Sequence, residues 1–111
     1  MTRRRFFRLY RLGAKLARLK WRERVLIDVL GRENRDSARR DVAVCVRCWG
    51  PLSGLAQDHA RDVWRGRCPD HGDVEIVASI LERAVDGRCL ELLGHVPRVA
   101  ELMRRVELGE F

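Results

Sequence analysis

Long apolar runs are missing from this chain: no stretch of about 20 uncharged hydrophobic residues occurs, so nothing in it is suited to cross a bilayer as a helix. Proline occurs only three times, and there is no low-complexity tract or internal repeat, which excludes a stiff Pro-rich linker and a solenoid. At 111 residues the chain has room for one ordinary domain, not for a large multidomain enzyme. It also lacks a Ser-His-carboxylate order, a Gly-rich phosphate loop and paired carboxylates in an apolar setting, so a non-catalytic protein without a small-molecule substrate is expected. Lysine is nearly absent, with Lys15 and Lys20 the only two among 23 cationic residues. That bias fits a GC-rich or heat-adapted genome, and guanidinium also suits bidentate phosphate contacts.

What is present divides unevenly. Hydrophobic residues make up 46% and charged ones 35%, enough to build a core, and the net charge is +7. Residues 1–24 carry ten basic side chains and one acid, whereas residues 25–111 carry thirteen basic and fifteen acidic ones. The N-terminal stretch therefore holds more than all of the excess, on a near-neutral body. Such a segment favours polyanionic partners, nucleic acid or an anionic membrane surface, and charge alone does not choose between them.

An address label is the competing reading of that stretch. Thr2-Arg3-Arg4-Arg5-Phe6-Phe7-Arg8 resembles a twin-arginine export signal, but Arg11, Lys15, Arg18 and Lys20 interrupt the apolar segment that must follow. A mitochondrial transit peptide fits the amphipathic, acid-poor first 22 residues better, although serine is absent there. A cytoplasmic location is the expectation.

Leu9, Leu12, Leu16, Leu19, Leu26 and Leu30 fall at spacings of three, four and seven, which predicts one helix over residues 4–31 ending at Gly31, followed by the polar run 32–40. Three β-prone runs follow, Asp41-Val42-Ala43-Val44, Asp62-Val63-Trp64-Arg65 and Asp73-Val74-Glu75-Ile76-Val77. Ser79 with Glu82 reads as a capping box, predicting a helix from Ile80 that Gly87 stops. A short helical piece over Cys89 to Leu93 and a last helix from about Arg98 to Leu108 complete the chain. Three segments are expected: a basic helical arm (1–40), a central module (41–78) and a C-terminal helical part (79–111).

Chemistry concentrates in the central module. Cys45-Val46-Arg47-Cys48 and Cys68-Pro69-Asp70-His71 share their internal spacing and are separated by 19 residues, within the range of a structural zinc module. Zinc wants four donors in a tetrahedron, and each such turn delivers two from one side. Gly50 and Gly72 fall where the backbone must fold back beside the metal.

Cys68-Pro69-Asp70-His71-Gly72 resembles the second knuckle of the zinc-ribbon family in its Cys-Pro-x-His-Gly form. The first knuckle departs from the family pattern, with Val46 in the proline place and Trp49 inserted before Gly50. The resemblance spans residues 41–78 and implies a small three-stranded zinc ribbon; with the basic N-terminal helix and the C-terminal helices read from periodicity packed on it, the expected fold is α+β. The resemblance also implies a structural Zn²⁺ held by Cys45, Cys48, Cys68 and His71. A closed Cys₃His shell leaves no position for water or substrate. Its net charge of −1 has Arg47, Arg65 and Arg67 near it in sequence.

Other uses of these residues fit less well. Two disulfides would suit an oxidising compartment, for which no usable export signal speaks. A redox Cys-x-x-Cys should open a helix, and Trp49-Gly50-Pro51 break one instead. Iron prefers an all-cysteine shell. Cys89 reads as a small core residue, and Asp58-His59 and His95 as loop features, Asp58-His59 being too short a match to an HNH nuclease site. The expected function is therefore nucleic-acid binding, RNA or DNA, within a transcription, translation or viral complex, with phosphate contacts from Arg3, Arg4, Arg5, Arg8, Arg11, Lys15 and Arg18. Phe6, Phe7, Tyr10 and Trp21 either stack on bases or pack on the body. A protein-protein adaptor and a membrane-surface protein using the amphipathic arm are the alternatives.

Overall fold

Phe6, Leu9, Leu12 and Leu16 recur at helical spacing, and in the computed structural model, which describes residues 1–109, they form the buried stripe of α1 (Arg3–Leu16). Thr2 caps it, its hydroxyl accepting from the Arg5 N–H at 3.1 Å. The chain continues through α2 (Trp21–Gly31), a single 3₁₀ turn (Arg32–Asn34) and α3 (Arg35–Val42). It then forms β1 (Ser53–Asp58), β2 (Val63–Cys68) and β3 (Gly72–Val77), an antiparallel sheet in the order β1-β2-β3. Two helices close it, α4 (Ala78–Leu92) and α5 (Pro97–Leu108). The α+β class agrees with expectation, and no described helix is long and apolar enough to cross a membrane.

Several boundaries differ from the sequence reading. The expected helix over 4–31 breaks between Ala17 and Lys20, where the N–H groups of Ala17, Arg18 and Leu19 bond back three residues, at 3.0–3.3 Å. A continuous helix over 4–31 would run about 42 Å, as long as the whole molecule at 41 Å. The break turns α2 back so that Ile27 joins Leu12, Leu16, Leu19, Leu90, Leu93, Val99, Leu102 and Val106 in one core cluster. Leu30 is left exposed as a result. The polar run 32–40 is largely helical, because Ala38 and Val42 of α3 are buried in the second cluster, which also holds Phe6, Leu9, Leu81 and Val85. Asp41–Val44 is not a strand; only Val44 pairs, in an isolated bridge to Pro51. Strand β1 lies in a segment the β-propensities passed over, and its pairing with β2 is what extends it.

Helix α4 starts at Ala78 with no side-chain cap and runs through Gly87, taking in the piece expected at 89–93. Glu82, expected to cap it, points to α3 instead. It pairs with Arg35 and, at 3.0 Å, with the Nε of Arg39, while Asp86 pairs with Arg35 at 2.8 Å and Arg24 at 3.1 Å. Arg39 also lies over the Trp64 ring, 4.6 Å from its centroid, tying α3 to the sheet. Burial alone would raise the Glu82 pKa, but the hydrogen bonds from Arg39 and Arg35 outweigh it and hold the carboxyl below the usual range. A depressed carboxyl stabilises the fold above its unfolded value and loses that contribution as pH falls through the folded one. Glu82→Gln is therefore expected to cost about 1–2 kcal/mol at neutral pH, given its partial exposure, and to flatten the fall in melting temperature below about pH 4.5. Parallel pH profiles for variant and wild type would refute this.

Candidate metal centre

The second knuckle is the β2–β3 turn itself. Cys68 ends β2, Gly72 begins β3, and the two are paired across the hairpin. Closing so tight a turn puts Gly72 at φ +70°, in the left-handed region that glycine enters freely. Nothing lies within 4 Å of where its Cβ would stand, so conformation rather than space selects glycine.

The first knuckle sits between α3 and β1. Its ends are drawn together by the Cys45 N–H donating to the Gly50 carbonyl at 2.9 Å and the Leu52 N–H to the Ala43 carbonyl at 3.1 Å. The tight turn has Trp49, not Gly50, in the left-handed region, at φ +61°. For a bulky residue that conformation costs about 1–2 kcal/mol. Contacts of the indole offset it: the Phe6 and Phe7 rings lie 5.8 and 6.1 Å from it, centroid to centroid. The N-terminal amino group donates to the Trp49 carbonyl at 3.5 Å. The inserted tryptophan is thus where α1 braces the knuckle. Its sequence signal was an aromatic ahead of the knuckle glycine, and Phe6 and Phe7 could not be matched to it without the fold.

Together the turns converge Cys45, Cys48, Cys68 and His71, whose donor atoms all lie within 4.8 Å of one another. The Cys48 and Cys68 sulfurs are 3.6 Å apart, and His71 Nδ1 stands 3.5 Å from the Cys45 sulfur and 3.6 Å from that of Cys68. Bonds of about 2.3 Å to sulfur and 2.0–2.1 Å to nitrogen, set tetrahedrally, require edges of about 3.8 and 3.6 Å. The four residues thus form a candidate site for one metal ion. A disulfide needs sulfurs about 2 Å apart, and all four cysteines are free. Cys45 and Cys68 are buried, while Cys48 and His71 face solvent.

Electrostatics within the cluster are uneven. Burial pushes the Cys45 thiol up, but N–H groups of Arg47 and Cys48, with the neighbouring thiols, bring it below its ordinary value. At Cys48 the Gly50 N–H favours the thiolate, yet Cys68, partial burial and the charge on Cys45 raise it. Arg65, one of the cations expected to offset the site, instead pairs with Asp58 and Glu75 on the sheet. Arg47 and Arg67 are exposed.

Cys89 lies in the core, where burial raises its thiol. His59 stands exposed in the β1–β2 turn, and His95 donates from Nδ1 to the Leu92 carbonyl at 3.1 Å. Six of the seven cations expected to meet phosphate, Arg3, Arg4, Arg5, Arg8, Arg11 and Lys15, lie on α1, and Arg18 follows it. They do not form one surface. Arg5 pairs with Glu91 at 3.2 Å and Arg3 lies over the Phe7 ring, whereas Arg4, Arg8, Arg11 and Lys15 line one groove with Leu12 and Glu107. Compared with protein-family models, curated proteins and solved structures, the chain matches none.

Proposed function

We propose that this protein is a non-catalytic, zinc-ribbon nucleic-acid-binding protein. Zn²⁺ would be held by Cys45, Cys48, Cys68 and His71. Four protein donors fill a tetrahedral shell, so the metal would supply folding free energy rather than Lewis acidity. RNA or DNA phosphates would be met by Arg4, Arg8, Arg11 and Lys15 of α1.

The observation that supports this most is the stripe Arg4, Arg8, Arg11 and Lys15. Spacings of four, three and four put these side chains on one side of α1, turned from the stripe that packs on α4. Glu107 is the one acid in their groove, and none of the four forms an ion pair among the described residues. Three arginines also crowd the first turn of α1, which has no acid. Cations there oppose the helix dipole, an arrangement that lowers stability and strengthens attraction for anions. A phosphate backbone matches both features.

Four phosphate contacts predict that affinity for a single-stranded or duplex oligonucleotide falls about a hundredfold between 50 and 200 mM salt. Arg4→Glu, Arg8→Glu and Arg11→Glu together should abolish binding while metal content stays at one per chain. Binding that survives the triple reversal, or that ignores salt, overturns the assignment.

A further inference from the structure

Helix α2 faces the wrong way for a helix of a self-contained domain. Of its six large apolar residues only Ile27 is buried, while Trp21 is 77% exposed, Val29 57%, and Val25 and Leu30 38% each. Trp21, Val25 and Val29 follow one another at four-residue intervals, so they line one outward ridge, with Leu30 beside it. Single exposed apolar side chains are ordinary, but a ridge along a whole helix marks a surface made to be covered.

Its rim is cationic. Arg18, Lys20 and Arg22 are exposed at the N-terminal end of the ridge, and none pairs with an acid among the described residues; Arg32, beyond its other end, lines a groove with Asp28, Glu82 and Asp86. The helix's own acids are neutralised, Glu23 by Arg105 at 3.3 Å and Asp28 by Arg24 at 3.2 Å. Glu33, in the turn beyond, is the nearby acid without a described cation.

Charge complementarity selects the occupant. A second copy would bring two cationic rims together. Nucleic acid would satisfy the rim but offers nothing to Val25, Val29 and Leu30. An anionic bilayer satisfies both, since its headgroups meet the arginines and its acyl boundary, 5–10 Å down, takes up tryptophan and aliphatic side chains. We infer that the outward face of α2 is a docking surface for an anionic lipid membrane, with the helix, about 16 Å long, lying in the headgroup plane. Each cation near such a surface raises affinity about fivefold. The inference does not rest on nucleic-acid binding by α1.

Flotation of the full chain with vesicles of phosphatidylcholine, with and without phosphatidylglycerol, tests it. Partitioning is expected only with the anionic lipid. Val25→Asp with Val29→Asp should reduce it about tenfold or more while leaving metal content and the oligonucleotide salt slope unchanged. Should the double variant misfold, Trp21→Ala, at the most exposed position, keeps the test, with a loss of the same sign expected. Failure of the wild type to float with anionic vesicles overturns the inference. So does unchanged flotation of a folded variant, complete loss on reversing only Arg4, Arg8 and Arg11, or a dimer of the free protein that these variants dissolve.

Discussion

If Cys45, Cys48, Cys68 and His71 hold zinc as proposed, a strong chelator is expected to unfold the central third of the molecule. The donors sit on two turns 19 residues apart, and little else closes the first turn beyond a few backbone hydrogen bonds and the Trp49 contacts. Structural zinc in comparable small modules contributes an apparent 10–16 kcal/mol, as much as the whole stability of an ordinary domain. Without it, like-directed dipoles and up to three thiolates would crowd within 4.8 Å. Cys45 and Cys68 also belong to the core cluster that holds Leu9, Val42, Leu81 and Val85, so the damage should spread to α1, α3 and α4. Amide protection in β2 and β3 is expected to vanish first in hydrogen exchange. Cys68→Ser, whose hydroxyl is a poor substitute for thiolate, should purify with less than one metal per chain and melt more than about 12 °C lower. A chelated protein that keeps its full protection pattern would end the metal assignment and remove the scaffold from the functional proposal.

The second large effect concerns a change as small as one methyl group. Gly13 of α1 and Gly87 of α4 face one another where the two helices cross. A Cβ on Gly13 would fall onto the Arg83 carbonyl oxygen, 2.8 Å from its carbon and 3.1 Å from the Gly87 nitrogen. A Cβ on Gly87 would fall onto the Leu9 carbonyl, 2.8 Å from its carbon. These neighbours are backbone, which cannot rotate aside, so the helices would have to separate and open the core on both sides of the crossing. Alanine is the better helix former by about 1 kcal/mol, yet overpacking against main chain should exceed that gain. Gly13→Ala is expected to lower stability by about 3 kcal/mol or more, and Gly87→Ala similarly. Gly31→Ala is the control, because its Cβ would meet Cys89 and Leu93 at 3.6–3.7 Å, ordinary contact, and should leave stability equal or slightly higher. Equal melting temperatures for the three variants would show that the crossing is not so close.

Features that depend on local spacing were legible in the chain. Cys-x-x-Cys and Cys-x-x-His set their own turn geometry, so the four donors could be named before any fold was known, and the structure brings their atoms together. Val99, Leu102 and Val106 likewise announce the buried face of α5. Features that depend on a partner were not. Gly87 reads as a helix stop because glycine ends helices, unless a second backbone passes too close for a side chain, and only the crossing with α1 reveals that. Ser79 and Glu82 satisfy the capping pattern, yet Glu82 is taken by two arginines of a helix that was itself read as a polar run. The leucine stripe extended through Leu26 and Leu30 because periodicity has no knowledge of a turn at 17–20 that changes the phase.

The sequence by itself determined the four candidate donors, the polarity of charge along the chain and the buried faces of α1 and α5, because each follows from the order of neighbouring side chains. Tertiary structure decided which of the many arginines are spent on internal ion pairs and which remain open, where α1 ends, and that the apolar ridge of α2 looks outward. Those outcomes depend on which carboxylate or backbone another element brings within a few ångströms, a distance that no local pattern encodes.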